Sequence, residues 1–244
     1  SAEKHPLYSR VMLSKEHFIL QQSPEERAFL RTLAQYKDQA IEMLLGVRVD
    51  RIDAKNNEIS LSSGKKIQYE KLLITTGGVA KIPPYITNRF ENAFAMQNMD
   101  QARAIIRSLA DANHVVVVGS GFISFEMAGV FAKAGKKVTV CIRGERFWRN
   151  VLNKEASVII ESALSSCGVH IKKNCEIKDI VGDKKITNVI IKTDEELPCD
   201  LFLYGIGMNY YQSWLDGSGI EQNNGIVINE YLETNIDTIW AAGD

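Results

Sequence analysis

Gly119, Ser120 and Gly121 directly follow HVVVV at 114–118, five residues of unbroken strand, and Glu126 stands shortly beyond them at the start of an apolar helical run. A run of β-branched residues suits a strand buried on both faces. The first glycine permits a tight turn after that strand, and the second lets backbone come close to an anion. The opening amides of the next helix, at Phe122 and Ile123, then direct unpaired N–H groups and the positive dipole end at a pyrophosphate. Ser124 occupies the place where a third small residue normally allows close helix–strand packing. A second strand, KKVTVCI at 136–142, follows after one helix length and completes a βαβ unit. That context turns a loose glycine pattern into a dinucleotide-binding prediction.

Other residues able to do chemistry cluster in two stretches. Tyr8-Ser-Arg10-Val-Met-Leu-Ser-Lys15 reads as an extended segment carrying two cations and hydroxyls. At the end of the second strand, Arg143-Gly-Glu-Arg146-Phe-Trp-Arg149 offers three guanidinium groups, with Glu145 as a competing carboxylate. A carboxylate at the end of that strand grips a ribose 2′-hydroxyl and repels a 2′-phosphate, whereas an arginine accepts the phosphate. Ile142 stands where the acid belongs, which favours NADPH over NADH. His5, His17, His114 and His170 have neither ligand-like nor triad spacing.

The elements that must position these residues follow from periodicity and punctuation. Residues 24–43 are predicted as one helix, with Ser23 as N-cap and Pro24 at its first position. Strands are expected at 47–53, 57–61 and 67–75, turning at Asn56-Asn57 and at Ser63-Gly64. Pro83-Pro84 marks a linker, and 99–109 a helix before the nucleotide strand. A helix at 153–166 stops at Gly168, and strands are expected at 169–173, 175–181, 186–192 and 200–205. Short apolar runs at 226–229 and 236–241 close the chain.

Two further stretches indicate a family. Tyr69-Glu-Lys-Leu-Leu-Ile-Thr-Thr-Gly-Gly78 resembles the "YDxLLxATG" turn of flavin-dependent pyridine nucleotide oxidoreductases, and Trp240-Ala-Ala-Gly-Asp244 resembles their "xxAxGD" flavin motif. With the glycine loop, the three motifs lie in register over essentially all 244 residues. The resemblance implies an α/β fold: a Rossmann-like, three-layer nucleotide-binding domain inserted in a split, incomplete FAD-binding domain. The corresponding boundaries are 1–95 for the first FAD-binding part, 96–222 for the NAD(P)-binding domain, and 223–244 for the return into the FAD-binding domain. No glycine loop for the FAD pyrophosphate precedes residue 114, so about 30 residues, the usual size of the lost βαβ portion, are expected to be missing. Truncation is expected at the other end too, beyond Asp244.

Within the family, residues 8–15 are similar to the "PYxRPPLSK" and "YNRxxLS" stretches of ferredoxin reductases, rubredoxin reductases, apoptosis-inducing-factor-like proteins and the flavin portion of nitrite reductases. There the Arg matching Arg10 lies along FAD, and the Lys matching Lys15 comes close to the reactive flavin nitrogen. The Glu matching Glu126 sits near the nicotinamide and approaches that lysine; its other reading is plain helix N-terminal stabilisation. Val11-Met12 depart from the usual Pro-Pro. The resemblance also implies FAD contacts from Glu3, Val49 (through its backbone), Thr76, Gly77 and Asp244. Arg10, Lys15, Val49, Thr76, Gly77 and Asp244 are expected to converge on one groove. Nucleotide contacts are implied at Gly119, Ser120, Gly121, Phe122, Ile123 and Gly207. CIRGERFWR at 141–149 resembles the stretch of glutathione reductases that holds the 2′-phosphate, with Arg143 and Arg149 as the matches.

The implied activity is that of an NAD(P)H-dependent FAD oxidoreductase, a flavoprotein of electron transfer. Hydride would pass from NADPH or NADH to flavin, and electrons onward to a small iron–sulfur or rubredoxin-type protein. The alternative is a non-catalytic nucleotide-binding or redox-sensing module. A fragment lacking the first glycine loop would hold FAD weakly and be inactive by itself, and the full-length protein is compatible with a homodimer. Residues 1–30 contain no cysteine, so thiolate chemistry beside the flavin has no nucleophile there.

Composition narrows the remaining classes. Hydrophobic residues make up 45%, charged residues 24%, and the formal net charge is −1. That balance gives no electrostatic footprint for nucleic acid or a membrane surface. No apolar stretch reaches the roughly 20 residues of a spanning helix, and the N-terminus is not a signal peptide. Cys141, Cys167, Cys175 and Cys199 show no C-x-x-C pair or metal spacing, which points to a reducing compartment, the cytoplasm. Cys141 falls on a buried strand, where it counts as a small hydrophobe.

Overall fold

The computed structural model describes residues 1–86 and 90–243, so Asp244 lies outside the described residues. Two compact units result: Ser1–Tyr8, Phe29–Val79 and Met208–Asp244 form one, and Ser9–Ala28 with Ala80–Gly207 the other.

The second unit is built on a five-stranded sheet in the order Ala93–Phe94, Leu201–Tyr204, His114–Val118, Lys137–Cys141, His170–Lys172. Every neighbouring pair in it is parallel. The helices Met99–Asp111, Phe122–Lys133 and Lys154–Ser166 make the crossovers. All three crossovers progress across the sheet in one direction, so right-handed connections put the helices on one face. An antiparallel meander, Ile177–Gly182, Ile186–Ile191 and Glu196–Pro198, covers the other. Val116 and Phe202 of the sheet join Ile186, Val189 and Leu197 of the meander in one buried cluster. Alternation turns the equally buried Val115 and Val117 towards the helices. The mixed α/β, Rossmann-like class and its three layers are therefore as the sequence predicts.

The first unit combines an antiparallel sheet, Val49–Asp53, Glu58–Leu61 and Lys66–Gln68, with a parallel pair, Leu72–Ile74 and Ile239–Ala241. Ile52, Ile74, Leu215, Ile220 and Ile239 form its core.

Several predicted elements are corrected. Residues 24–43 are not one helix but a 3₁₀ turn, Glu25–Ala28, and a short helix, Leu33–Asp38. The break is local chemistry: Thr32 makes a capping box with Gln35, which starts a new helix. The carbonyl of Ala28 meanwhile accepts the Ser9 amide at 2.8 Å. Ser23 caps nothing; its hydroxyl is buried without a partner. The predicted strand 67–75 is two strands in different sheets, because the Tyr69 amide turns to Asn57 and Leu72 pairs with Ile239. Residues 8–15 are not extended: Arg10–Leu13 and Glu16–Ile19 are single helical turns. Both pack on the helix Met99–Asp111 and bury Leu13, Phe18 and Ile19. The strand Glu196–Pro198 was not predicted, and residues 226–229 form only an isolated bridge, Ile226 with Gln222.

Candidate functional site

The loop after the strand His114–Val118 is built around close approaches that only glycine allows. Gly119 has φ +127°, and a Cβ there would lie 2.3 Å from the Gly205 carbonyl oxygen and 2.6 Å from Ser124 Oγ. Gly205 is in the same position from the other side, its own Cβ falling 2.6 Å from Ser124 Oγ. Ser124, fully buried, therefore fills the place of the third small residue. Gly205 escaped the sequence analysis, although an apolar strand running into Tyr204-Gly205-Ile206-Gly207 was the available signal. Gly207 has φ +105° and its carbonyl accepts the Lys81 amide at 2.9 Å.

The helix Phe122–Lys133 starts from Gly121, which supplies no side-chain cap. A Cβ on Gly121 would meet nothing within 4 Å. Open space in front of uncapped helix amides is what a phosphate group requires, so these residues fit a dinucleotide. Phe122 is 71% exposed beside that space, with its ring 4.7 Å from Trp148. Trp148 was missed because no sequence signal marks a tryptophan at φ +46° whose amide donates to the Ser120 carbonyl.

Glu126 lies beyond the first helical turn, which contains no acid, so dipole stabilisation does not explain it. Its carboxylate accepts the Ser14 hydroxyl at 2.5 Å and forms an ion pair with Lys15. The turn between Arg10–Leu13 and Glu16–Ile19 presents Ser14 and Lys15 to the helix that begins at the glycine loop. Both charges keep partial exposure, 40% for the lysine side chain and 27% for the glutamate. Arg10 donates to the Gln97 carbonyl at 2.5 Å.

Past the second strand, Ile142 is completely buried and brings no carboxylate. Arg143 and Arg149 are exposed, and the Arg149 side chain lies over Gly144. The Glu176 carboxyl is held below its ordinary value, first by its hydrogen bond to Lys192 and further by the charge of Arg143. This arginine loop is tied down by Glu161, a buried acid that accepts the Phe147 amide at 3.3 Å and pairs with Lys173. Ser157 Oγ adds a bond to the Phe147 carbonyl at 3.1 Å. Glu161→Ala strands a buried N–H and a lysine, so it should destabilise the fold by about 1–3 kcal/mol, measured by urea unfolding.

In the first unit, a cavity of about 300 Å³ opens at the carboxyl ends of the parallel strands Leu72–Ile74 and Ile239–Ala241. Thr76, Gly77, Gly225, Ala242 and Gly243 line it. Ligands of α/β sheets bind outside such strand ends, and Gly77 at φ +62° leaves open space where a side chain would stand. These features fit part of a flavin nucleotide. Val49 starts its strand opposite Leu61 and packs against the Ile52 core, away from the lining of this cavity. Glu3 accepts the Tyr8 hydroxyl. Arg10 and Lys15 belong to the second unit.

The comparisons agree with this geometry. The pyridine nucleotide-disulphide oxidoreductase family matches residues 1–244, and the chain belongs to that family. It is 30% identical over 225 residues to putidaredoxin reductase of Pseudomonas putida, covering 90% of this chain and 53% of the relative. It is 26% identical to a rubredoxin–NAD(+) reductase of the same species, covering all of this chain and 63% of that one. Among solved structures, the covalent putidaredoxin reductase–putidaredoxin complex superposes with a TM-score of 0.95 at 28% identity, over 100% of this chain and 60% of the other. A ferredoxin reductase from Rhodopseudomonas palustris gives 0.93 at 27% identity, with the same coverage. The chain thus spans little more than half the length of the reductases it matches. Among the described residues no helix is long and apolar enough to cross a membrane.

Proposed function

We propose that the full-length protein is an NAD(P)H-dependent FAD reductase that delivers electrons to a small iron–sulfur or rubredoxin-type protein. The observation that carries this reading is the Lys15–Glu126 pair on the helix that opens from the glycine loop. When bound, nicotinamide and flavin supply the redox chemistry; the chain's residues place and tune them. In this reading Gly119, Ser120, Gly121 and the amides of Phe122 and Ile123 hold the dinucleotide phosphates, with Gly207 at the neighbouring strand end. Glu126 fixes the ammonium of Lys15, which supplies positive charge to the flavin, and Arg10 lines it. Glu3, Val49, Thr76, Gly77 and Asp244 hold the rest of FAD. The flavin portion comprises 1–95 and 223–244, the nucleotide portion 96–222, and the compartment is the cytoplasm.

The experiment is NAD(P)H reduction of the full-length flavoprotein followed by reoxidation with an iron–sulfur protein. Rapid reoxidation supports the reductase; reduction without transfer to any such acceptor indicates a sensing module instead.

Arg143 and Arg149, with no carboxylate at Ile142, favour NADPH. Arg143→Ala should raise the KM for NADPH about tenfold, as loss of one charge-assisted phosphate contact does, and leave that for NADH nearly unchanged. A wild-type NADH preference that persists in Arg143→Ala would refute this assignment.

A further inference from the structure

The Glu126 carboxylate is held at both of its oxygens. Oε1 takes the Lys15 ammonium, and Oε2 accepts the Ser14 hydroxyl at 2.5 Å. The two partners are neighbours in sequence, and all three residues belong to the same compact unit. They differ in how firmly they are fixed. Ser14 is buried and follows the turn Arg10–Leu13, whose last residue is buried as well. Lys15 is extended, with φ −74° and ψ 147°, and its carbonyl accepts the amides of Phe18 and Ile19 at 3.0 Å. Phe18 and Ile19 are buried in turn, so the backbone at 14–15 is anchored on both sides. On the helix Phe122–Lys133, Met127 and Ala128 are fully buried directly after Glu126 and fix its backbone too. The Lys15 side chain, by contrast, is a flexible four-carbon stem that keeps partial exposure.

From this arrangement we infer that Ser14 is a positioning residue: its hydroxyl fixes the plane of the Glu126 carboxylate, and through it the place of the Lys15 ammonium. The last torsion of a glutamate is broad and roughly two-fold, so one contact leaves the carboxylate free to rotate. A second contact, on the other oxygen and from a rigid buried group, stops that rotation. The partly exposed ion pair does not do this by itself, since such a pair contributes little and holds two long side chains only loosely. The serine hydroxyl has a single proton to give. Its other acceptor is the Val11 carbonyl, at 3.4 Å, and the shorter bond to a charged oxygen prevails. The consequence for a flavin rests on the function proposed above, in which Lys15 supplies positive charge to that ring. A charge averaged over several positions stabilises a developing negative charge less than one held in place.

The test is Ser14→Ala in the full-length protein, alone and combined with Lys15→Met. The first readout needs no turnover: acetic anhydride labelling of the lysines, quantified by mass spectrometry. With alanine at this position Lys15 should label about threefold faster relative to Lys154, an exposed lysine, as loss of one hydrogen bond in the chain of contacts allows. The second readout is flavin reduction by NAD(P)H together with a potential titration. Ser14→Ala should slow reduction about tenfold and lower the flavin potential, with the KM for the nucleotide within about twofold of wild type. In the Lys15→Met background the same substitution should change neither rate nor potential, because the charge that it positions is gone. Unchanged Lys15 labelling in Ser14→Ala overturns the inference. So does a rate loss of equal size in both backgrounds, which marks a merely structural serine, or a wild-type rate in Ser14→Ala when Lys15→Met is slow. Faster Lys15 labelling with wild-type rate and potential in both single variants counts against the proposed function and leaves the positioning role of Ser14 standing.

Discussion

Lys15→Met in the full-length protein is expected to slow reduction of the flavin by NAD(P)H about 100-fold, the scale of losing one preorganised electrostatic contact. Nucleotide affinity should stay within about twofold, because in the proposed site the charge acts on the flavin and not on the adenosine half. The structure makes this separable from folding. A pair as exposed as Lys15 and Glu126 contributes only about 0–1 kcal/mol to stability, so the variant should unfold at nearly the wild-type denaturant concentration. Ser14 and Lys15 share the same carboxylate, so Lys15→Met leaves Glu126 with its Ser14 hydrogen bond. Lys15→Arg should recover part of the rate, since charge returns without the compact ammonium. Stopped-flow reduction and a potential titration check both points. A wild-type rate together with an unchanged potential would make Lys15 a surface lysine and remove the main support for the proposed function.

The parts of this chain legible in its sequence are those where local and tertiary demands coincide. His114–Val118 was located to the residue, because a valine run buried on both faces has no competing conformation. The strand at 137–141 and the helix at 154–166 followed from the same βαβ logic. The failure at 24–43 has the opposite cause. Its helical periodicity is real, but Ala28 and Phe29 are taken by pairing with Ser9 and Tyr8, and Thr32 restarts the helix. Residues 67–75 looked like one strand because sequence shows apolar alternation without showing which sheet each half joins. In the candidate site, the glycine loop and Glu126 were visible as motifs. Ser14, Gly205, Trp148 and Glu161 were not, since each acts through a contact between segments distant in sequence.

Gly119→Ala should have a large effect for the addition of a single methyl group at the glycine loop. The native φ of +127° lies outside the range that an alanine adopts without strain, and the new Cβ would sit 2.3 Å from a backbone carbonyl oxygen. That oxygen belongs to Gly205, whose amide is bonded to the Val118 carbonyl at 2.8 Å, so it cannot swing aside as a flexible side chain would. On the opposite side the methyl meets Ser124 Oγ, itself packed against Gly205. Backbone strain and overpacking together should cost about 3 kcal/mol. The loop can relieve this only by moving outward, into the space that the phosphates require. Nucleotide affinity should therefore fall at least tenfold, equivalent to about 1.4 kcal/mol, in protein that remains folded. Gly121→Ala is the internal control: its φ is −91° and its Cβ would meet no protein atom within 4 Å. It should leave urea stability within about 0.5 kcal/mol of wild type, as a surface substitution does. It should nevertheless weaken nucleotide binding, because the methyl occupies the approach to the helix amides. Calorimetric titration of both variants with NADPH, beside their unfolding curves, separates the two effects. Unimpaired binding by Gly121→Ala would mean that the phosphates do not pass in front of this helix, whatever Gly119→Ala does to stability.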